Sequence, residues 1–367
     1  MELLCDGMDL ADAVSTVIKA TSSKTTNPIL EGIKIKAFGN VLELTATDSE
    51  LSITKKIKAD VTKEGEIVVP GNFFSNYIRR LTNEQIKLSI ISGNQLKVNY
   101  NDSEGFIQCY NADEFPNMKK IDNEEYFEIS QKALKDLINK TIFAVAIDDS
   151  RPILKGVLFE INENTITSVA LDGYRLALCK KNIASTNIST SIIIPSRSLF
   201  EISKLLQDSD DLIKVFIKNN TIMINVDNVE ILSRLLEGDF INYKQILPSE
   251  FKTECVVNKN QFDDTLDRAS LLAKFDKNNL VKFEIKENNM LITSNSEIGN
   301  IKENLTVNLK GNDIVIAFNV RYLVDVLKTV NDEFLKIKLN SSFSPCVIQA
   351  LESDEYLFLI LPVRSVV

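Results

Sequence analysis

Two pairs of adjacent carboxylates, Asp148-Asp149 and Asp263-Asp264, are the side chains in this sequence best suited to chemistry. Paired acids can hold Mg²⁺ through oxygen ligands, and a metal held this way could serve a nuclease or a phosphatase. Both pairs fall on or near helix-periodic stretches expected at the surface, where a carboxylate is ordinarily just solvated. Other catalytic options are narrow. The 367-residue chain has no histidine, which excludes a Ser-His-Asp triad, a Cys-His dyad and a His-ligated metal. Its five cysteines, Cys5, Cys109, Cys179, Cys255 and Cys346, lie far apart and form no CxxC pair. Reduced, buried thiols are expected, not a zinc or redox site. No catalytic residue, metal or cofactor is assigned.

The elements that position the rest of the chain form an internal repeat. Asn27-Pro28-Ile29-Leu30 returns as Arg151-Pro152-Ile153-Leu154, and Thr47-Asp48 as Leu171-Asp172, both displaced by 124. Ile67-Val68-Val69-Pro70 returns as Ile192-Ile193-Ile194-Pro195, and Phe115 as Phe240, both displaced by 125. Ile314-Val315-Ile316-Ala317 is a weaker third echo. The chain thus reads as three units of roughly 120 residues, an ordinary domain size. The expected boundaries are 1–125, 126–250 and 251–367.

Each unit divides again. Six stretches carry apolar residues at helical spacing, centred near residues 14, 76, 137, 202, 266 and 325. Between them lie alternating segments such as Leu42–Ala46, Ile86–Ile90, Lys214–Ile217 and Ile222–Val226, which predict half-buried strands. Gly39-Asn40, Gly93-Asn94, Asn219-Asn220 and Asn288-Asn289 are the predicted turns. The unit is one helix followed by three or four strands, and six copies make an α+β repeat protein.

Charge adds a second pattern. With 42 basic and 51 acidic residues the formal charge is −9, in a chain with the 44% apolar content of a soluble globular protein. Over the six helical stretches the charge is +5, leaving −14 elsewhere. Either helix faces simply vary, or the helices share a surface turned toward a polyanion. Six helices about 10 Å apart, closed into a ring, would leave an opening of only about 9 Å. Twelve would leave about 28 Å, enough for a duplex about 20 Å wide. One chain cannot enclose DNA; two could. Met1–Leu10 holds three acids and no Lys or Arg, unlike a signal peptide. No apolar run reaches about 18 residues, so no membrane partner and a cytoplasmic, nucleoid-associated location are expected.

Asn27-Pro28-Ile29-Leu30, Thr47-Asp48-Ser49-Glu50, Arg151-Pro152-Ile153-Leu154-Lys155-Gly156-Val157, Leu171-Asp172-Gly173-Tyr174-Arg175-Leu176-Ala177 and Leu361-Pro362-Val363-Arg364 stand in order along the whole chain. In these segments the chain resembles the bacterial DNA polymerase III beta subunit, the sliding-clamp family. The resemblance implies three tandem similar domains, a head-to-tail homodimeric ring with helices lining the hole and sheets outside, and no catalytic site. It implies a processivity factor that encircles double-stranded DNA without reading its sequence. It also implies partners held through short linear peptides: the replicative polymerase catalytic subunit, the clamp loader, repair polymerases and mismatch-repair proteins. A repeat-built interaction scaffold that does not encircle DNA is the alternative.

For DNA, the resemblance points to Lys24, which could equally be a solvated loop lysine. Arg79, Arg80, Arg197 and Lys204 lie on candidate lining helices, though adjacent Arg79 and Arg80 point about 100° apart. A polar DNA contact of the family falls on Asp148, whose charge would repel phosphate, so that site is not carried over. The implied peptide groove falls on Leu154, Leu171, Gly173, Tyr174, Arg175, Leu176, Ile241, Ile246, Leu359, Leu361, Pro362, Val363 and Arg364. Such a groove needs apolar pockets for Leu or Phe anchors and polar groups that fix the backbone. With 33 Lys and only 9 Arg in the chain, Arg175 points to stacking or bidentate bonding, or to a structural salt bridge. Leu171, Ile241 and Asn278 depart from the family's usual Thr, Pro and aromatic residue. The tail Ser365-Val366-Val367 could reach over the groove. Phe106 and Leu272 are the candidates for the dimer interface, where edge strands should pair.

Overall fold

The computed structural model describes residues 1–22, 25–82, 84–92, 94–117, 125–148 and 150–364. All six helix-periodic stretches are helical: α1 Gly7–Val17, α2 Gly71–Ile78, α3 Gln131–Asn139, α4 Ser196–Leu205, α5 Lys259–Ala273 and α6 Val320–Leu327. The repeat begins one element earlier than the sequence suggests. A strand runs directly into each helix and three strands follow, so the motif is β-α-β-β-β, six times over. Three short strands, Asp60–Lys63, Ser185–Thr186 and Asn308–Gly311, are additional.

The abrupt strand-to-helix junction is fixed by its cap. The Asp6 carboxylate accepts from the Met8 and Asp9 amides, and the Asn258 and Asn319 side chains accept from the Gln261 and Arg321 amides. The Ser130 hydroxyl accepts from the Ala133 amide. Each cap satisfies amides that a helix start leaves open, a stabilisation of about 1 kcal/mol apiece. α2 has Pro70 in that position, which sets φ but offers no acceptor.

The hairpins use left-handed asparagines. Asn219 and Asn220 have φ 48° and 60° and join Leu212–Lys218 to Thr221–Val226 by two residues. At the predicted Asn288-Asn289 turn the positive pair is Glu287-Asn288 instead, at φ 50° and 63°, because Asn289 already pairs with Lys286.

The chain forms two compact units: Met1–Ile129 with Lys204–Leu206 and Asp211–Leu235, and Ser130–Ser203 with Gln207–Asp210 and Leu236–Val367. These cut across the sequence repeats because sheets are shared between them. In the first unit Leu51–Lys58 pairs with Val229–Arg234, joining strands of the first two repeats in one sheet. Its second sheet runs Asp60–Lys63, Glu2–Asp6, Gln85–Ile91, Gln95–Tyr100, Ser103–Gln108, and α1 packs beside α2. In the second unit Arg175–Asn182 pairs with Tyr356–Ile360, joining the second and third repeats. Its other sheet runs Gly299–Thr306, Asn289–Ser296, Leu280–Lys286, Ile314–Asn319, covered by α5 and α6. Phe262 of α5 meets Phe283 of that sheet at 6.0 Å, and Phe283 meets Phe318 at 5.5 Å.

The five cysteines are free and buried. Burial pushes the Cys179 thiol up to about 11 and the Cys255 thiol up to about 12. Among the described residues no helix is long and apolar enough to cross a membrane.

Candidate functional site

The expected groove residues all fall in the second unit, around one turn. Strand Thr165–Leu171 is followed by Asp172, and Arg175–Asn182 starts three residues after that aspartate. Asp172 Oδ1 accepts the Tyr174 amide at 2.9 Å and the Arg175 amide at 3.0 Å, closing an Asx turn. Gly173 takes φ +91°, which favours glycine, and a Cβ there would meet open space. The turn is therefore tight and leaves Tyr174 standing out, 63% exposed.

Beneath it lies an apolar floor. Leu154, Leu171, Leu176 and Leu359 are buried in one cluster with Leu158, Ile193, Tyr243 and Val347. Ile241 and Leu361 pack at its margin, partly buried, and Ile246 is exposed. Antiparallel register sets Leu176 beside both Leu171 and Leu359. The tail closes one side. The Leu361 amide donates to the Tyr174 carbonyl at 2.9 Å and the Val363 amide to the Ala317 carbonyl at 2.8 Å. Pro362 and Val363 are half-buried and Arg364 is exposed. An apolar floor with a fixed backbone rim can take short chains bearing Leu or Phe anchors.

Arg175 holds the frame together from inside. Its side chain is 9% exposed. Nε donates to Asp172 Oδ2 at 3.0 Å, Nη1 to Asp325 Oδ2 at 2.6 Å and Nη2 to the Phe143 carbonyl at 2.7 Å. The guanidinium carbon lies 4.6 Å from the Tyr322 ring centroid and 5.3 Å from that of Phe143. Stacking and structural ion pairing, alternatives in the sequence, are realised together. Tyr174 stacks on Tyr322 at 6.3 Å. Burial, then the Asp172 carboxylate, raises the Tyr322 phenol above its ordinary value. Sequence reasoning missed Phe143, Tyr322 and Asp325. The three-residue spacing of Tyr322 and Asp325 on α6, one helix face, was the available signal.

The basic candidates lie elsewhere. α2 stops at Ile78, so Arg79 is its C-cap rather than a helix-face residue, and Arg80 lies beyond it. Both are exposed; Arg79 donates to the Ser75 carbonyl and to Asn76 Oδ1. Arg197 and Lys204 are exposed at opposite ends of α4. Lys24 lies outside the described residues.

Of the interface candidates, Phe106 is exposed on the sheet-edge strand Ser103–Gln108. Leu272 is 8% exposed, one of the residues α5 packs inward, whereas its neighbours Leu271 and Phe275 are 60% and 61% exposed. The helical turn that buries Leu272 presents Leu271 instead, a one-residue shift that periodicity alone did not settle.

Among their described members, Asp148, Asp263 and Asp264, the carboxylates are not brought together as a metal centre. Asp263 accepts from Lys259 Nζ at 3.0 Å, one helical turn away, and Asp264 is exposed. Asp148 is exposed and accepts from the Ser150 hydroxyl and amide, which hold its carboxyl below the usual range. Asp149 lies outside the described residues. Among the described residues no three His, Cys, Asp or Glu side chains gather as metal ligands. Asn278 is exposed in the loop after α5, its amide bonded to Asp276 Oδ2.

Comparison with known proteins covers the chain from end to end. Family models described as the DNA polymerase III beta subunit match in succession: the N-terminal domain over residues 1–119, the central domain over 128–242 and the C-terminal domain over 244–364. A beta sliding clamp of Staphylococcus epidermidis is 32% identical over 362 residues, 96% of each chain. The sliding clamp of Bacillus subtilis superposes with a TM-score of 0.96 at 32% identity, covering 100% of both chains. The beta subunit of Thermotoga maritima superposes with a TM-score of 0.91 at 30% identity, again over 100% of both.

Proposed function

The chain belongs to the DNA polymerase III beta-subunit family, and from that premise we propose that it works as a head-to-tail dimeric ring around duplex DNA, a processivity clamp with no catalytic step of its own. The observation that carries this is the sixfold β-α-β-β-β repeat together with two of its sheet-edge strands. Ser103–Gln108 ends one sheet and Gly299–Thr306 ends another, and each is flanked by exposed apolar side chains: Phe73 and Phe106 near the first, Leu271 on α5 and Phe275 in the turn after it near the second. Unpaired edges of this length are liabilities unless something covers them. The edge of one copy pairing with the other edge of the next is a heterologous contact, and such contacts close into rings. The domains we propose are 1–125, 126–250 and 251–367.

Within the ring, Arg79, Arg80, Arg197 and Lys204 face the phosphates. A few cations attract DNA without reading sequence, and weak interchangeable contacts permit sliding. Retention comes from closure rather than from grip. The turn at Asp172–Tyr174, its apolar floor and the tail 361–364 form the peptide groove through which the replicative polymerase and other clients are tethered, so that they re-engage DNA at high effective concentration. This function places the protein in the cytoplasm with the nucleoid.

The test is mass and topology. The 41.3 kDa chain is expected to run as a dimer at micromolar concentration. Loaded by a clamp loader onto nicked circles it is expected to stay, and to leave once they are linearised. A strict monomer that is never retained would favour the interaction scaffold, and true turnover of DNA with Mg²⁺ would overturn the non-catalytic reading.

Deleting residues 362–367 tests the groove separately. It removes the Val363 amide that ties the tail to Ala317. Peptide affinity is expected to drop at least about tenfold, the loss of roughly one hydrogen-bonded anchor and its apolar contact, with the dimer mass unchanged. Equal peptide affinity before and after truncation would sink the assignment of the tail.

A further inference from the structure

A cavity of about 370 Å³ opens beside the groove, between the edge of the large sheet in the second unit and the segment 238–244. Its floor consists of two cross-strand pairs, Leu158 opposite Ile193 and Glu160 opposite Ser191. Phe240 and Ile241 form the wall, and exposed Asp239 also lines it. The lining is apolar at one end and charged at the other, where the acids Asp239 and Glu160 stand with Lys244. Glu160 accepts from the Tyr243 hydroxyl at 2.5 Å and from Lys244 Nζ at 3.1 Å, the latter on a side chain two-thirds in solvent.

We propose that this cavity is an accessory subsite of the peptide groove that takes the side chain of a lysine flanking the apolar anchors of a client peptide. The inference rests on the groove reading above and adds a specificity element to it. Three observations converge. The cavity and the groove share a wall and a floor: Ile241 lines both, and Leu158 and Ile193 belong to the same buried cluster as Leu154, Leu171, Leu176 and Leu359. The lining suits an aliphatic stem ending in a cation, with Leu158, Ile193 and Phe240 along the stem and Asp239 and Glu160 at the head.

The third observation is internal to the chain. In the first repeat the matching cross-strand pairs are Lys34 opposite Val68 and Lys36 opposite Glu66. There Lys34 lays its own stem across the sheet and sets its ammonium 3.1 Å from Glu66, with Lys36 3.9 Å away. The covering segment is also bonded to Val68 twice, through the amides and carbonyls of Val68 and Tyr110 at 3.2 and 2.8 Å. In the second repeat Leu158 replaces Lys34 and Glu160 replaces Lys36. At these positions the sheet itself carries no lysine, the acid sits on the other strand, and the ammonium beside it is that of Lys244 from the covering segment, on a side chain two-thirds in solvent. Where the first repeat lays its own lysine stem across the sheet, the second leaves that strip to Leu158 and keeps Lys244 at the solvent edge, so a client lysine can lie along the apolar strip and reach Asp239 and Glu160.

The experiment measures binding of labelled synthetic peptides to the full chain at about 0.15 M salt, where long-range attraction to an acidic protein is screened. The probes are one eight-residue peptide with Leu and Phe anchors, and versions extended at either end by Lys or by Glu. One Lys-extended peptide is expected to bind five- to tenfold tighter than both the parent and its Glu counterpart. Ser191→Trp, which fills the cavity, and Asp239→Lys, which reverses the charge, are each expected to erase that gain while leaving the parent peptide's affinity unchanged. No gain at either end, or a gain that survives both substitutions, overturns the subsite. If the parent peptide itself fails to bind, the groove reading fails first and the subsite falls with it, a result distinguishable from loss of the lysine effect alone.

Discussion

Replacing Leu271 and Phe275 together with aspartate is expected to convert the dimer into monomers and abolish retention on circular DNA. Leu271 projects from α5 and Phe275 from the turn that follows it, 60% and 61% exposed, so neither substitution removes core packing. In the proposed ring they are buried against the partner's Ser103–Gln108 edge, where Phe106 and Phe73 also stand exposed. An apolar anchor at the centre of an interface costs about 2 kcal/mol or more when lost, and a buried unpaired carboxylate adds to that. Two such sites raise the dimer Kd by on the order of a thousandfold. Leu272→Ala is the contrast. Leu272 is buried by its own chain, so its truncation is expected to lower the unfolding midpoint, at a cost of about 2–5 kcal/mol, and leave association intact. Sedimentation across a concentration series separates the two. A double aspartate variant that still sediments as a dimer, or a Leu272→Ala chain that is folded yet monomeric, would contradict this placement.

That contrast shows where the sequence is informative and where it is not. Period and turn chemistry are local, so all six helices and the named strands could be found from residue types alone. What escaped was anything decided by a single rotation or by a partner far along the chain. Leu272 and Leu271 are both apolar and adjacent, and only packing against the sheet decides which one turns inward. Arg80 reads as helical until the helix proves to end at Ile78. The strand before the first helix, Glu2–Asp6, was missed because a cap residue such as Asp6 marks a helix start without revealing that a strand runs straight into it. The Asp-Gly-Tyr-Arg segment, on which the resemblance puts the groove, was legible, yet what supports that turn was not: Phe143 and Asp325 lie 32 and 150 residues from Arg175.

The internal repeat also explains why the first repeat does not offer the groove proposed for the second. The first repeat builds the same frame. Asp48 Oδ1 accepts the Glu50 and Leu51 amides at 3.0 and 2.8 Å, as Asp172 does with Tyr174 and Arg175. The Arg234 amide donates to the Glu50 carbonyl at 2.8 Å, as Leu361 does to Tyr174 at 2.9 Å. The difference lies in the floor. Thr47 and Ser52 stand where Leu171 and Leu176 stand, and their hydroxyls bond each other at 2.6 Å. Satisfied hydroxyls offer an incoming Leu or Phe little apolar surface, whereas the leucine pair offers a large one. Leu51 stands in the place of Arg175, so the first repeat also lacks the ion-paired hub.

That hub makes Arg175→Ala the second substitution with a large expected effect. The truncation leaves Asp172 Oδ2, Asp325 and the Phe143 carbonyl without their shared donor and removes the plate between the Phe143 and Tyr322 rings. Breaking a fully buried pair costs about 3–5 kcal/mol; since Asp325 is about one-third exposed, roughly 2–3 kcal/mol is the better expectation here. Both stability and peptide binding should therefore suffer, because Asp172 also holds the turn that presents Tyr174. Peptide affinity is expected to fall ten- to a hundredfold and the unfolding midpoint to drop by several degrees, with the dimer mass preserved. Arg175→Lys discriminates between charge and shape. A lysine keeps the charge but supplies one ammonium where three separate nitrogens now reach three acceptors, and it cannot stack as a plane. It is expected to recover less than half of either loss. Full rescue by lysine would mean that charge alone matters, and an Arg175→Ala chain that binds peptides and melts like the native protein would remove Arg175 from the site altogether.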